Sequence, residues 1–139
     1  MLFAGRYRCK EALGDHGPLS LWLAEDEQKQ KHPVVLKIFP EAFSGDEAAA
    51  LQAALQPVRA LKHPHLVALL DVVQDHGRLV AVTEDVLGKT LHQIQQEKEG
   101  ECFDHTEIKP WIGQLCDVLQ YAHDAGVAHQ DVRPAHIIL

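Results

Sequence analysis

The strongest constraint on this chain is the way its first half breaks into short β-compatible runs at turn signals. Arg6 to Leu13, Leu19 to Glu25 and Val34 to Phe39 are separated by Gly14-Asp15-His16-Gly17-Pro18 and by the polar stretch Asp26 to His32. Short apolar runs bounded by Gly, Pro and Asp predict three successive strands in a meander. Ser44-Gly45-Asp46-Glu47 then reads as a helix start, with acid in the first turn of a helix-forming run from Ala48 to Leu55 that Pro57 should break or kink. Leu66 to Val73 and Arg78 to Glu84 flank Gln74-Asp75-His76-Gly77 and predict a hairpin. The first 84 residues are therefore expected to form five strands and one helix.

Beyond them the period changes. Leu91 to Glu99 predicts a short polar helix ending at Gly100. From about Glu107 the positions Ile108, Trp111, Ile112, Leu115, Cys116, Leu119 and Ala122 repeat at helical spacing as far as Gly126. Pro110 is tolerable in that helix only in its first turn, where amides lack helical partners. The chain continues through Val127-Ala128-His129 and a Pro-containing loop to Ile137-Ile138-Leu139, which reads as a strand in need of a neighbour.

Composition excludes several classes. A net charge of −7 lacks the clustered cations that a nucleic-acid partner requires. The apolar runs, such as Val34-Val35-Leu36, fall far short of the ~20 residues that cross a bilayer, so no membrane segment is expected. Gly5-Arg6-Tyr7-Arg8 cuts off the apolar start too early for a secretory signal, and a cytoplasmic location is expected. Cys9, Cys102 and Cys116 are odd in number and form no C-x-x-C spacing, which argues against a disulfide framework or zinc knuckle. His129 with His136, and His63 with His65, lack further ligands at a metal-site spacing; no metal site is assigned.

Five motifs in order carry a resemblance. They are Leu13-Gly14 before the second run, Val34-Val35-Leu36-Lys37, His63-Pro64-His65-Leu66-Val67, Val82-Thr83-Glu84-Asp85-Val86 and His129-Gln130-Asp131-Val132-Arg133-Pro134. In this series the chain resembles the eukaryotic-like protein kinases, most closely the bacterial Ser/Thr class. The resemblance implies an α+β fold. Residues 1–84 would be a kinase-like N-lobe, a five-stranded antiparallel sheet with one αC-type helix. Residues 85–139 would be the hinge, a short helix, a long helix and the catalytic loop of a partial C-lobe.

It also implies a site. Lys37 would meet the α- and β-phosphates of ATP; Leu13, Gly14, Leu21, Val35, Thr83, Glu84 and Val86 would line the nucleotide pocket, the hinge residues presenting backbone groups to adenine. Asp131 would orient the substrate hydroxyl, and Arg133 would steady the transferred phosphate. The departures are as specific. The glycine loop keeps Gly14 but has His16 and Leu19 at the second and third glycine positions. Val35 stands at a usually smaller position. The helix glutamate that would hold Lys37 falls on Ala54, with Gln52, Glu47 and Asp46 as the nearest polar alternatives. Gln130 replaces an arginine that reads activation-loop phosphate, and His136 replaces a magnesium-binding asparagine, which puts Mg2+ in doubt because that ion favours oxygen donors.

The expected function is accordingly a kinase-like domain with impaired catalysis, serving as a nucleotide-site remnant or a protein-interaction module. The alternatives are the front part of an active Ser/Thr protein kinase and an adaptor that binds no nucleotide. The apolar stripe from Ile108 to Ala122 implies a protein partner or self-association.

Overall fold

The computed structural model describes residues 1–16, 18–40, 45–86, 88–98, 100, 102–128 and 136–138. Backbone proximity divides the chain into two compact units, Met1–Lys62 with Val67–Asp85, and His63–Leu66 with Val86–Leu139. Each is taken by itself.

The first unit is one antiparallel sheet and a helix. In chain order its strands are β1 (Leu2–Phe3), β2 (Tyr7–His16), β3 (Leu19–Asp26), β4 (His32–Ile38), β5 (Leu69–Asp75) and β6 (Arg78–Glu84), with helix α1 (Asp46–Arg59) between β4 and β5. The spatial order is β1-β2-β3-β4-β6-β5. Among the described residues the sheet therefore has six strands rather than five. The additional one is two residues long, Leu2 opposite Arg8 and Phe3 opposite Tyr7, too short to leave a periodic trace in the sequence.

Strand alternation sets the core. Val34, Leu36 and Ile38 of β4 bury one face together with Phe3, Tyr7, Ala24, Val80 and Val82. Leu36 and Val82 are fully buried, each contributing about 1.5–3 kcal/mol. β6 lies between β4 and β5, and Leu79 through Thr83 are buried without alternation, as expected of a strand covered on both faces.

Around this core runs a network the sequence did not announce. Arg6 donates two hydrogen bonds to Asp26, Nε to Oδ1 at 2.8 Å and Nη2 to Oδ2 at 2.7 Å. The Tyr7 hydroxyl donates to Asp71 at 2.8 Å. Arg59, at the end of α1, lies 3.8 Å from the same carboxylate and donates to the Leu70 carbonyl at 3.2 Å. The Ala4 amide donates to Asp75 at 2.6 Å, so the short first strand is tied down at both sides.

α1 departs from expectation at both ends. Its cap is Gly45 at φ 64°, with no side-chain cap hydrogen bond, and Ser44 lies outside the described residues. Asp46 and Glu47 still favour the positive helix start. Pro57 falls in the last turn, and the helix stops two residues after it. β5 also starts at Leu69, because a turn closed by the Leu66 amide on the His63 carbonyl, 3.1 Å, occupies the preceding residues.

The second unit holds α2 (Leu91–Glu97) and α3 (His105–Asp124). Both start with capping boxes, Thr90 with Gln93 and Asp104 with Glu107, each reciprocally satisfying two amides. α2 ends at Glu97 because Lys98 is extended, although Gly100 does take the left-handed conformation at φ 80°. α3 begins two residues earlier than its apolar repeat suggested, so Pro110 sits in the second turn and not the first. Its buried face is Val118 and Ala122 flanked by Ile108, Trp111, Leu115 and Leu119; Ile112 and Cys116 are exposed, which narrows the stripe. The segment after the loop finds a neighbour after all: Ile138 pairs with Thr90, and the Leu91 amide donates to the Ile137 carbonyl at 2.7 Å.

Candidate functional site

Residues directly opposite one another in an antiparallel pair share a face of the sheet. The register places Gly14 opposite Leu21, Leu21 opposite Lys37, and Lys37 opposite Ala81. One step along, Leu23 is opposite Val35, and Val35 opposite Thr83. The face turned away from the Leu36 core therefore carries Leu21, Val35, Lys37, Ala81 and Thr83 in two adjacent rows. Five candidates from sequence, Gly14, Leu21, Val35, Lys37 and Thr83, are brought together here. Leu23 and Ala81 join them, and reading across the pairing from Lys37 is the signal that finds them.

Lys37 is half-buried, and burial pushes its ammonium below the ordinary 10.5. Among the described residues no carboxylate pairs with it. Asp46, Glu47 and Ala54 are all exposed on α1, whereas Gln52 turns to the sheet and donates to the Val72 carbonyl at 3.3 Å. The helix is thus attached to β5 through Gln52 and Arg59, with no ion pair to Lys37.

The glycine-loop region is a hairpin in which β2 continues past Leu13. Asp15 faces Ser20 and His16 faces Leu19, after a register shift between Ala12 and Gly14. Gly14 adopts φ 106°, a conformation that side chains rarely adopt, and nothing lies within 4 Å of where a Cβ would stand. The Ser20 hydroxyl donates to Asp15 at 3.1 Å, holding a carboxylate beside the turn. Leu13 is 48% exposed.

At the other end of the first unit, Thr83 is buried and Glu84 is engaged twice by Ala68: its amide donates to the Ala68 carbonyl at 3.1 Å, and its carboxylate accepts from the Ala68 amide at 2.8 Å. Val86, in the second unit, is exposed. Asp131 and Arg133, with His129, lie outside the described residues. His136 is described and exposed. Among the described residues no group of three His, Cys, Asp or Glu is arranged to hold a metal ion.

The chain is similar to known proteins along nearly its whole length. Residues 7–139 match the family model described as the protein kinase domain. CBL-interacting protein kinase 22 of Oryza sativa subsp. japonica is 29% identical over 97% of this chain and 33% of its own length. The serine/threonine-protein kinase Nek5 of Homo sapiens is 28% identical over 96% of this chain and 19% of its own. The chain thus spans a third or less of the length of these curated relatives. In fold it is similar to the crystal structure of the Mycobacterium tuberculosis PknI kinase domain, with a TM-score of 0.88 and 24% identity over all of this chain and 56% of that one. With a match over nearly its whole length, the chain belongs to the protein kinase domain family.

Proposed function

We propose that this chain is a nucleotide-binding, pseudokinase-like domain in which phosphoryl transfer is impaired. The observation that carries the reading is Lys37: a half-buried cation on a sheet face with Leu21, Val35 and Thr83, with no carboxylate pairing it among the described residues. The lysine suits a phosphate, and the apolar side chains beside it suit an adenine ring. The open backbone at Gly14 leaves room for a phosphate to approach, while Asp15 opposes it with like charge.

ATP is the nucleotide we assign. Magnesium is given a minor part, because an imidazole at His136 replaces an oxygen donor. Asp131 and Arg133 keep the substrate-orienting and phosphate-steadying roles that the resemblance gives them, and Leu13, Glu84 and Val86 complete the nucleotide set. A bacterial, cytoplasmic setting is the one we assign from the resemblance, and none of the described helices is long and apolar enough to cross a membrane.

A thermal-shift titration tests the nucleotide reading. ATP should raise the unfolding temperature saturably, by the same amount with or without Mg2+, reaching about 2.7 kcal/mol of added stability at a hundredfold excess over Kd. A shift that requires Mg2+, accompanied by phosphate transfer to protein, would favour an active Ser/Thr kinase. No shift at millimolar ATP would leave the adaptor reading.

Self-association is proposed on a separate ground. Ile112 on α3 is 52% exposed and Ile138 is 39% exposed. Light scattering coupled to size exclusion should return a mass above 15.5 kDa, and a clean monomer at high concentration would reject it.

A further inference from the structure

A nucleotide gains negative charge with every phosphate, and the sheet face of Lys37 is poor in cations to meet it. Among the described residues in its rows, Lys37 is the single lysine or arginine. Alternation along β3 turns Leu19 to the same face as Leu21 and Leu23, so a third row opens beyond Lys37 towards the hairpin tip, and it begins with a half-buried leucine. Glu11 lies opposite Leu23 and ends the Val35 row at its exposed edge. Residues 11–23, which make the tip of the β2–β3 hairpin, contain Glu11 and Asp15 and no lysine or arginine.

These features act on every phosphate after the first. A phosphate at Lys37 meets an ammonium and the open backbone at Gly14. The next one would run towards Leu19, whose side chain donates nothing, and Pro18, which has no amide hydrogen to give. It would also approach Asp15, which follows Gly14 directly and whose carboxylate is held at the turn by the Ser20 hydroxyl at 3.1 Å. Glu11 adds to the same field from the row's edge. Both carboxylates are exposed, so the repulsion acts through water: small for a single phosphate, larger for a triphosphate, and sensitive to salt.

We propose that the site reads adenosine and one phosphate, so that its best ligand is an adenine nucleoside monophosphate, and that Asp15 is the residue that selects against the β- and γ-phosphates. The inference rests on the nucleotide reading above and adds to it which part of ATP is recognised. Lys37 fixes the α-phosphate. The phosphates beyond it bring charge into an apolar and acidic hairpin.

Isothermal titration of the full chain with adenosine, AMP, ADP and ATP, in Mg2+-free buffer of low ionic strength, separates the inference from the reading beneath it. AMP should bind about tenfold tighter than adenosine, because only AMP brings a phosphate to Lys37, and at least as tightly as ADP or ATP. Asp15→Asn keeps an oxygen for the Ser20 hydroxyl and removes only the charge. Asp15 is exposed, so that variant keeps the fold. It should raise the ratio of ATP affinity to AMP affinity about fivefold, an effect that fades in high salt. The inference is overturned, with the nucleotide reading intact, if ATP binds about tenfold tighter than AMP, if adenosine binds as tightly as AMP, or if Asp15→Asn leaves the ratio where it was. Binding of neither nucleoside nor nucleotide at millimolar concentration overturns the nucleotide reading and this inference with it.

Discussion

Lys37→Met should make the chain more stable and, at the same time, much less responsive to ATP. The two effects have opposite signs because one residue is asked to do opposing things. In the free protein its ammonium is half-buried beside Leu21, Val35 and Ala81, no carboxylate among the described residues pairs with it, and desolvation disfavours the charge. Methionine fills a similar volume without that cost, a gain of about 1 kcal/mol. With nucleotide present the same charge would meet phosphate oxygens. Charge-assisted hydrogen bonds of that kind are worth about 1.5–3 kcal/mol, so removing them should weaken ATP binding roughly tenfold to a hundredfold.

The sign with pH follows from the depressed ammonium. The unfolded lysine titrates near 10.5 and the folded one below it, so the cost of burying the charge is fully present at neutral pH. It is relieved as pH rises through the folded value towards 10.5. The stability advantage of Lys37→Met should therefore be greatest at neutral pH and shrink in alkali. Calorimetry of both proteins from neutral to alkaline pH, with and without ATP, reads both effects. A methionine variant that is less stable at neutral pH, or that keeps the full ATP shift, would show that Lys37 is an ordinary solvated strand residue.

How much of this could be read from sequence depends on the range over which each feature is determined. The β-runs, the helices and the hairpin at Asp75-His76-Gly77 are set by local composition and each is present, but their ends move: β2 runs on through Gly14-Asp15-His16, β4 starts at His32 inside the expected linker, and β5 starts only at Leu69. Lys37 was legible through the resemblance carried by Val34-Val35-Leu36-Lys37, and the alternation of Val34, Leu36 and Ile38 turns it to the face opposite the core. The Arg6–Asp26 pair was not, because its partners are 20 residues apart and Asp26 sits in a stretch that reads as a polar linker. The same holds for the Thr90–Ile138 bridge, a single pairing between distant segments.

The second large effect is expected at Asp26. Its side chain is 4% exposed, takes two hydrogen bonds from Arg6, and accepts from the Gln28 amide at 3.0 Å to cap the short 3-10 turn Glu27–Lys29. Among the described residues, Asp26→Ala leaves the partly buried guanidinium of Arg6 with the Asp71 carboxylate at 4.0 Å and the Tyr7 ring at 5.0 Å. Breaking a buried pair from one side costs about 3 kcal/mol, which for a chain of this size lowers the unfolding temperature by roughly 10 °C. Replacing both partners with apolar residues, Arg6→Met with Asp26→Leu, should recover most of that loss, because neither charge is then left unpaired. Hydrogen bonding to Arg6 holds the Asp26 carboxyl below its ordinary 3.8, so the stability it contributes is present above that value and lost as pH falls through the depressed one. The gap between wild type and Asp26→Ala should therefore be constant from neutral pH down towards 3.8 and close below it. Equal unfolding temperatures at neutral pH, or a gap that persists unchanged in strong acid, would mean that Tyr7, Arg59 and the apolar core hold β1 and β2 in place without help from this pair.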